Sequence, residues 1–146
     1  MSTAKNGNVP KHTSFAWATQ QMKAAHAAGF HLEAIALAES SLRDRIWSYL
    51  HGTAAVQLGA NHATVGALAK HAVFVAANPE LSGRTVQWGK NRNAVIHAVV
   101  KSPPGQAPMP IADYRSLAAS TAAEGIELVR LVGNWHKREK RRSKTP

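Results

Sequence analysis

His97 is a side chain that suits acid–base chemistry, and Asn93 is spaced to assist it. They lie four residues apart in a stretch with helical periodicity, so they share one face of the predicted helix. Imidazole titrates near neutrality and can take or give a proton at working pH. In RNA the 2′-hydroxyl is an internal nucleophile, so a histidine that deprotonates it, or protonates the leaving oxygen, suffices for slow cleavage without a metal. The alternative is a surface or packing role, because the chain has eight histidines.

Arg92 precedes Asn93 but falls on the apolar side of the same helix, with Trp88 and Val95. An arginine in an apolar stripe needs a reason, because an unpaired buried charge is expensive. Its guanidinium could bind a phosphate bidentately and offset charge that builds up there. It could also form a structural ion pair, and the two roles are compatible. Asn93 would orient His97, hold a phosphate oxygen, or simply face water.

Glu39 is the partner that the sequence predicts for Arg92. It interrupts the apolar stripe of the second predicted helix, which comprises Leu32, Ile35, Leu42, Ile46 and Leu50. Helices two and four can face each other in a four-helix bundle, so the two opposite charges would meet inside it and form a supporting ion pair. The alternative is that the stripe turns toward solvent at Glu39.

Periodicity predicts helices over residues 15–28, 31–51, 63–77, 85–100 and 111–135, and it leaves open whether the last one continues into the basic tail. Residues 52–59 are ambiguous, residues 80–84 read as a loop, and Ser102–Pro110 holds four prolines and one glycine and breaks the helix. Four or five helices with short connections predict an all-α, up-and-down bundle. The predicted organisation is a disordered segment at 1–14, one helical domain at 15–136 and a basic tail at 137–146.

The composition limits the function classes. The 146-residue chain has net charge +10 and no cysteine. A disulfide framework and a thiolate metal site are therefore excluded, and the histidines lack metal-ligand spacing, so no metal or cofactor is predicted. The polar N-terminus and the lack of long apolar runs predict a cytoplasmic protein with no membrane association. Such a positive balance attracts polyanions, and RNA is the expected partner.

The motif Arg92-Asn93-x-x-x-His97, within a small all-helical chain, resembles the HEPN superfamily. The family signature is an arginine, a following polar residue, and a histidine after four to six intervening residues, and this sequence matches it in full. The resemblance covers roughly residues 15–135, but only the motif is specific. It implies a HEPN-like bundle and a metal-independent endoribonuclease that leaves 2′,3′-cyclic phosphate and 5′-hydroxyl ends.

The resemblance also implies a homodimer in which two motifs meet in one cleft. A toxin or phage-defence role follows from it, with an antitoxin or another regulatory protein as a possible partner. Arg84, Lys90 and Lys101 are the expected RNA contacts near the motif. The alternatives are a catalytically inactive HEPN-like module that binds RNA or protein, and an unrelated basic helical nucleic-acid-binding protein. The four tryptophans lie in predicted helices and are expected in the core.

Overall fold

The secondary structure is helical, without strands, in the residues that the computed structural model describes: 8–59, 64–98, 104, 105, 107 and 109–144. The all-α class is thus confirmed. A π-helical turn, Tyr49–Thr53, continues the second helix. Within the described residues no helix is long and apolar enough to cross a membrane. In chain order the helices are α1 (Asn8–Ala27), α2 (His31–Ser48), α3 (Val65–Ala69), α4 (Ala72–Ala77), α5 (Pro79–Ala98) and α6 (Ile111–Lys144).

The long helix α6 packs against α1, α2 and α5, and α1 also packs along α2. Between them lies one apolar core, and burying each large apolar side chain contributes about 1.5–3 kcal/mol. The short helices α3 and α4 are too short to be stable alone, and both rest on α5. The largest fully buried side chains include Trp88, Phe74, Met22, Ile35, Leu42, Ile46, Leu50, Leu68, Leu128 and Val132.

Two helices begin earlier than the sequence predicted. α1 starts at Asn8, so residues 8–14 are helical rather than disordered, and residues 1–7 lie outside the described part. Pro10 sits in the first turn, where its missing N–H has no intrahelical acceptor to lose. α5 starts at Pro79, so the loop predicted over residues 80–84 is helix. Asn78 caps it, because its Oδ1 accepts a hydrogen bond from the Leu81 N–H at 3.1 Å.

The single helix predicted over residues 63–77 is wrong, because the described chain forms α3 and α4 with a break at Lys70 and His71. The imidazole Nδ1 of His71 accepts a hydrogen bond from the Val73 N–H at 3.1 Å and so caps α4. Thr64 caps α3 in the same way, through the Ala67 N–H at 3.1 Å. Side-chain caps of this kind compete with helix continuation.

The last helix, α6, continues to Lys144 and so includes most of the basic tail.

The tryptophans divide into two pairs. Trp88 and Trp135 are buried at 1% and 6% exposure, whereas Trp17 and Trp47 are 59% and 43% exposed. The prediction of a core position is therefore wrong for Trp17 and Trp47. Leu32, placed in the core stripe of α2, is also exposed, because it lies in the first turn of that helix.

Candidate functional site

A close contact between Trp88 and α6 helps to fix α5, the helix that carries the Arg92 motif. The indole Nε1 of Trp88 donates a hydrogen bond to the Thr121 carbonyl oxygen at 2.8 Å. Gly125 lies directly beneath the ring, and a Cβ there would come within 3.0 Å of the Trp88 indole and of the Ala38 Cβ. Because such contacts are tighter than most real Cβ contacts, a glycine lets α2, α5 and α6 meet here without a shift of the neighbouring side chains. Arg92 follows one helical turn after this anchor.

The guanidinium of Arg92 is held at two points. Its Nε donates to Glu39 Oε2 at 2.6 Å, and its Nη1 donates to Asn93 Oδ1 at 2.9 Å. The ion pair predicted between Glu39 and Arg92 is therefore present and joins α2 to α5. Two fixed hydrogen bonds limit the rotation of a side chain that is otherwise long and flexible.

The sequence predicted this ion pair inside the bundle, but it lies at the edge of the bundle. The side chains of Arg92 and Glu39 retain 28% and 20% exposure. Partial hydration lowers the desolvation penalty that a fully buried pair would incur. It also leaves the guanidinium within reach of an anion from solvent, because among the described residues no hydrogen bond engages Nη2.

His97 is exposed and lies on the outer face of α5 with Asn93 and Lys90, which are also exposed. Asn93 is one helical turn before His97 and faces the same way, so it links the Arg92 guanidinium to the surface that carries the imidazole. Among the residues that the structure describes, no hydrogen bond or ion pair holds His97 itself. The motif thus gives one restrained cation and one unrestrained imidazole on adjoining faces of one helix.

Of the three residues expected to contact RNA, the two that the structure describes lie in different surroundings. Arg84 lies toward the start of α5, and its Nε and Nη2 donate to Glu124 Oε1 at 3.1 and 2.8 Å. The Arg84 guanidinium is therefore engaged in an ion pair that joins α5 to α6. Arg84 also lies far along α5 from His97. Lys90 is exposed on the His97 face. Lys101 lies outside the described residues.

A row of side chains runs from Glu39 along α2 into the π-helical turn, and of its members only Glu39 was predicted from the sequence to support the site. Glu39, Arg43, Trp47 and His51 recur every four residues, so each adjoins the one before it on a line that winds around the helix by roughly 40° per step. Trp47 and His51 stack with ring centroids 4.5 Å apart and an interplanar angle of 20°. Arg43 is exposed between this stack and the Glu39–Arg92 ion pair. The spacing itself was the available signal, but it was obscured because tryptophan in a helix usually packs in the core.

A second arginine of α2 has a structural role. The guanidinium of Arg45 lies 3.6 Å from the centroid of the Phe15 ring, which attaches α2 to α1 through a cation–π contact. Its Nε is buried, and no hydrogen-bond partner for it is present among the described residues. Burial lowers the pKa of Arg45, and the neighbouring Asp44 carboxylate partly opposes that change.

Within the described part of the chain, no group of three histidine, aspartate or glutamate side chains converges to form a metal site. In comparisons with family models, curated proteins and solved structures, this chain matches none of them. The interpretation of the site therefore depends on its own geometry and on the motif.

Proposed function

We propose that this protein is a metal-independent endoribonuclease, with Arg92, Asn93 and His97 as its catalytic residues. The observation that carries the proposal is the arrangement around Arg92. Glu39 and Asn93 fix its guanidinium at the edge of the bundle, and Nη2 is left for a phosphate oxygen. A guanidinium held in place loses less conformational entropy when it binds an anion, and it is ready for charge that develops on phosphorus.

The proposed reaction is an internal transesterification. The 2′-oxygen attacks the adjacent phosphorus as its proton passes to a base, and the bond from phosphorus to the 5′-oxygen breaks. The leaving 5′-oxygen takes up a proton, which gives a 2′,3′-cyclic phosphate and a 5′-hydroxyl end. His97 serves as the base or the acid, Arg92 stabilises the phosphate, and Asn93 assists both. Lys90 lies on the same exposed face and adds positive charge for RNA.

Resemblance to the HEPN superfamily extends this proposal to a homodimer and a HEPN-like arrangement of the bundle. Two copies would bring two His97 imidazoles into one cleft, so that one could act as base and the other as acid. A cytoplasmic toxin or phage-defence effector, restrained by an antitoxin or another regulatory protein, is the role that this resemblance favours.

The test is cleavage of a mixed-sequence RNA oligonucleotide by purified protein, with and without EDTA. We expect cyclic phosphate ends, equal rates in both conditions, and loss of cleavage in His97→Ala with unchanged helical circular dichroism. His31→Ala is the control for loss of an imidazole away from the motif, since His31 lies at the first residue of α2 and contacts His26, and it should retain cleavage. Cleavage that EDTA abolishes, or an active His97→Ala protein, would overturn the mechanism. RNA binding without cleavage would favour the inactive binding module instead.

A further inference from the structure

The face of α2 beside the Arg92 site combines one cation with an exposed aromatic stack. Arg43 is exposed, and one helical turn further on Trp47 stacks on His51. Trp47 is 43% exposed, although a tryptophan of this chain can be buried almost completely, as Trp88 is at 1%. Leaving so much indole in water forgoes free energy that burial would supply. An exposed, flat and rigid ring next to a guanidinium therefore requires an explanation other than packing.

A pocket of about 310 Å³ lies beside this stack, lined by Ser40, Arg43, Asp44, Trp47 and Leu68. Leu68 forms its apolar floor at 2% exposure, and Ser40 supplies an exposed hydroxyl. Asp44 is the acidic group of the pocket, and its charge partly opposes the lowering of the Arg45 pKa that burial causes. The pocket lining thus combines an apolar, an aromatic and a cationic side chain with a hydroxyl and the Asp44 carboxylate.

We propose that Arg43, Trp47 and His51 form a binding track for single-stranded RNA that leads to Arg92 and His97, and this inference rests on the proposed ribonuclease function. Unpaired bases stack on aromatic rings because every base has a π-face, whereas base pairing in a duplex hides that face. The base of one nucleotide lies against the Trp47–His51 stack or enters the adjoining pocket. Its phosphate is bound by Arg43, about 6 Å away along the helix.

The track adjoins Arg92 through Glu39. Arg43 is one turn from Glu39, and Glu39 is bonded to Arg92. Trp47 is two turns from Glu39, so about 12 Å separates the stacked base from the ion pair. Because Arg92 pairs with the Glu39 carboxylate, that carboxylate does not leave an unbalanced negative charge at the end of the track. A strand bound on Trp47 therefore brings a phosphodiester a short distance along its own backbone to the Arg92 site.

A binding assay separates this inference from the cleavage reaction. The probe is a fluorescent single-stranded 2′-O-methyl oligoribonucleotide, which lacks the nucleophile and stays intact with the wild-type protein. We expect Trp47→Ala to weaken binding about five- to hundredfold, which corresponds to the loss of one stacked base. Trp47→Phe should recover most of that loss because it keeps a ring. Phe30→Ala is the matched control, since Phe30 is 63% exposed at the opposite end of α2, and it should leave binding unchanged.

Two further measurements keep the test independent of folding. The same oligonucleotide annealed into a duplex should bind equally to wild-type and Trp47→Ala proteins. Arg43→Gln, a substitution at an exposed position, should reduce the slope of log K against log salt by about 0.7 for the loss of one phosphate contact. Unchanged single-strand binding in Trp47→Ala, or an equal loss for the duplex, would overturn the track. Neither result bears on His97, whose role is decided by the cleavage assay. A protein that binds RNA through Trp47 but never cleaves it would refute only the proposed ribonuclease function.

Discussion

Glu39 and Arg92 meet at 2.6 Å between Oε2 and Nε, and this ion pair joins α2 to α5 beside the candidate catalytic face. Each residue alone would place an unpaired charge in an apolar stripe. In the ion pair each charge is balanced by the other, so both can be accommodated. The same contact fixes the guanidinium that we propose binds phosphate. Stability and activity should therefore respond together when the pair is broken.

The first prediction concerns this pair. Glu39→Gln should lower the free energy of unfolding by about 1–2 kcal/mol, since it replaces a charge-assisted hydrogen bond at a partly exposed site. It should also reduce RNA cleavage, because Arg92 loses one of its two fixed contacts. Glu39→Gln with Arg92→Met should recover part of the stability and none of the activity. Urea denaturation and initial cleavage rates are the measurements. A fully stable and active Glu39→Gln protein would contradict the coupling, although His97 could still be catalytic.

The second prediction concerns the contact that seats α5. Gly125→Ala places a Cβ within 3.0 Å of the Trp88 ring and of Ala38, and should destabilise the protein by about 1–3 kcal/mol through overpacking. Gly133→Ala is the matched control on the same helix, because its Cβ would meet nothing within 4 Å. Alanine favours a helix interior over glycine, so the control should stabilise by about 0.5–1 kcal/mol. Equal thermal midpoints for the two variants would show that the Trp88 contact is not close in solution.

The third prediction concerns alkaline pH. Burial, with a smaller effect from Glu139, raises the pKa of Tyr49 above its usual value of 10.0. The folded state then retains the phenol proton at a pH where the unfolded state has lost it. The stability that Tyr49 contributes is complete below pH 10 and is lost as pH rises through the folded-state pKa. We expect urea midpoints of wild type to fall more steeply than those of Tyr49→Phe above about pH 10. Parallel profiles would show that Tyr49 titrates normally.

The fourth prediction concerns the basic end of α6. Residues 137–144 carry six basic side chains and one acidic side chain, and they form the last turns of a helix instead of a separate tail. Deleting residues 137–146 should weaken RNA binding without changing the cleavage positions, because phosphate contacts carry no sequence preference. The slope of log K against log salt should become shallower. An unchanged affinity across a salt series would show that these charges do not touch RNA.

The sequence was sufficient for features that depend on periodicity and insufficient for those that depend on local caps. The stripes of α2 and α5 predicted the contact between Glu39 and Arg92, although both side chains are more exposed than expected. The start of α5 was missed because Asn78-Pro79 was interpreted only as a stop, whereas the pair ends α4 and also begins α5. The break at His71 is accompanied by a hydrogen bond from the Val73 N–H to the imidazole, and no hydrophobic pattern encodes such a bond.

The exposed tryptophans show a second kind of limit. Trp17 and Trp47 each have apolar residues nearby on both sides in the sequence. Local composition therefore favours a core position for all four tryptophans. The orientation of each ring depends on which side of its helix meets α6, and this is a property of the assembled bundle. His97 shows the same limit in reverse: its type and spacing were evident from the sequence, but the absence of a bonding partner among the described residues emerges only in three dimensions.

The last prediction concerns the proposed dimer. The outer face of α5 near the motif exposes Asn93, His97 and the apolar Ile96, which is 38% exposed. An unrestrained His97 acquires a defined position if a second copy of α5 packs there, and an apolar side chain at the centre of such a face would be buried. Ile96→Glu should therefore give a monomer in sedimentation velocity at micromolar concentration and should abolish cleavage. Ile111→Glu is the control, since Ile111 is 70% exposed at the start of α6, and it should remain dimeric and active. A wild-type protein that cleaves RNA as a monomer, or an Ile96→Glu protein that stays dimeric, would show that α5 does not form the interface.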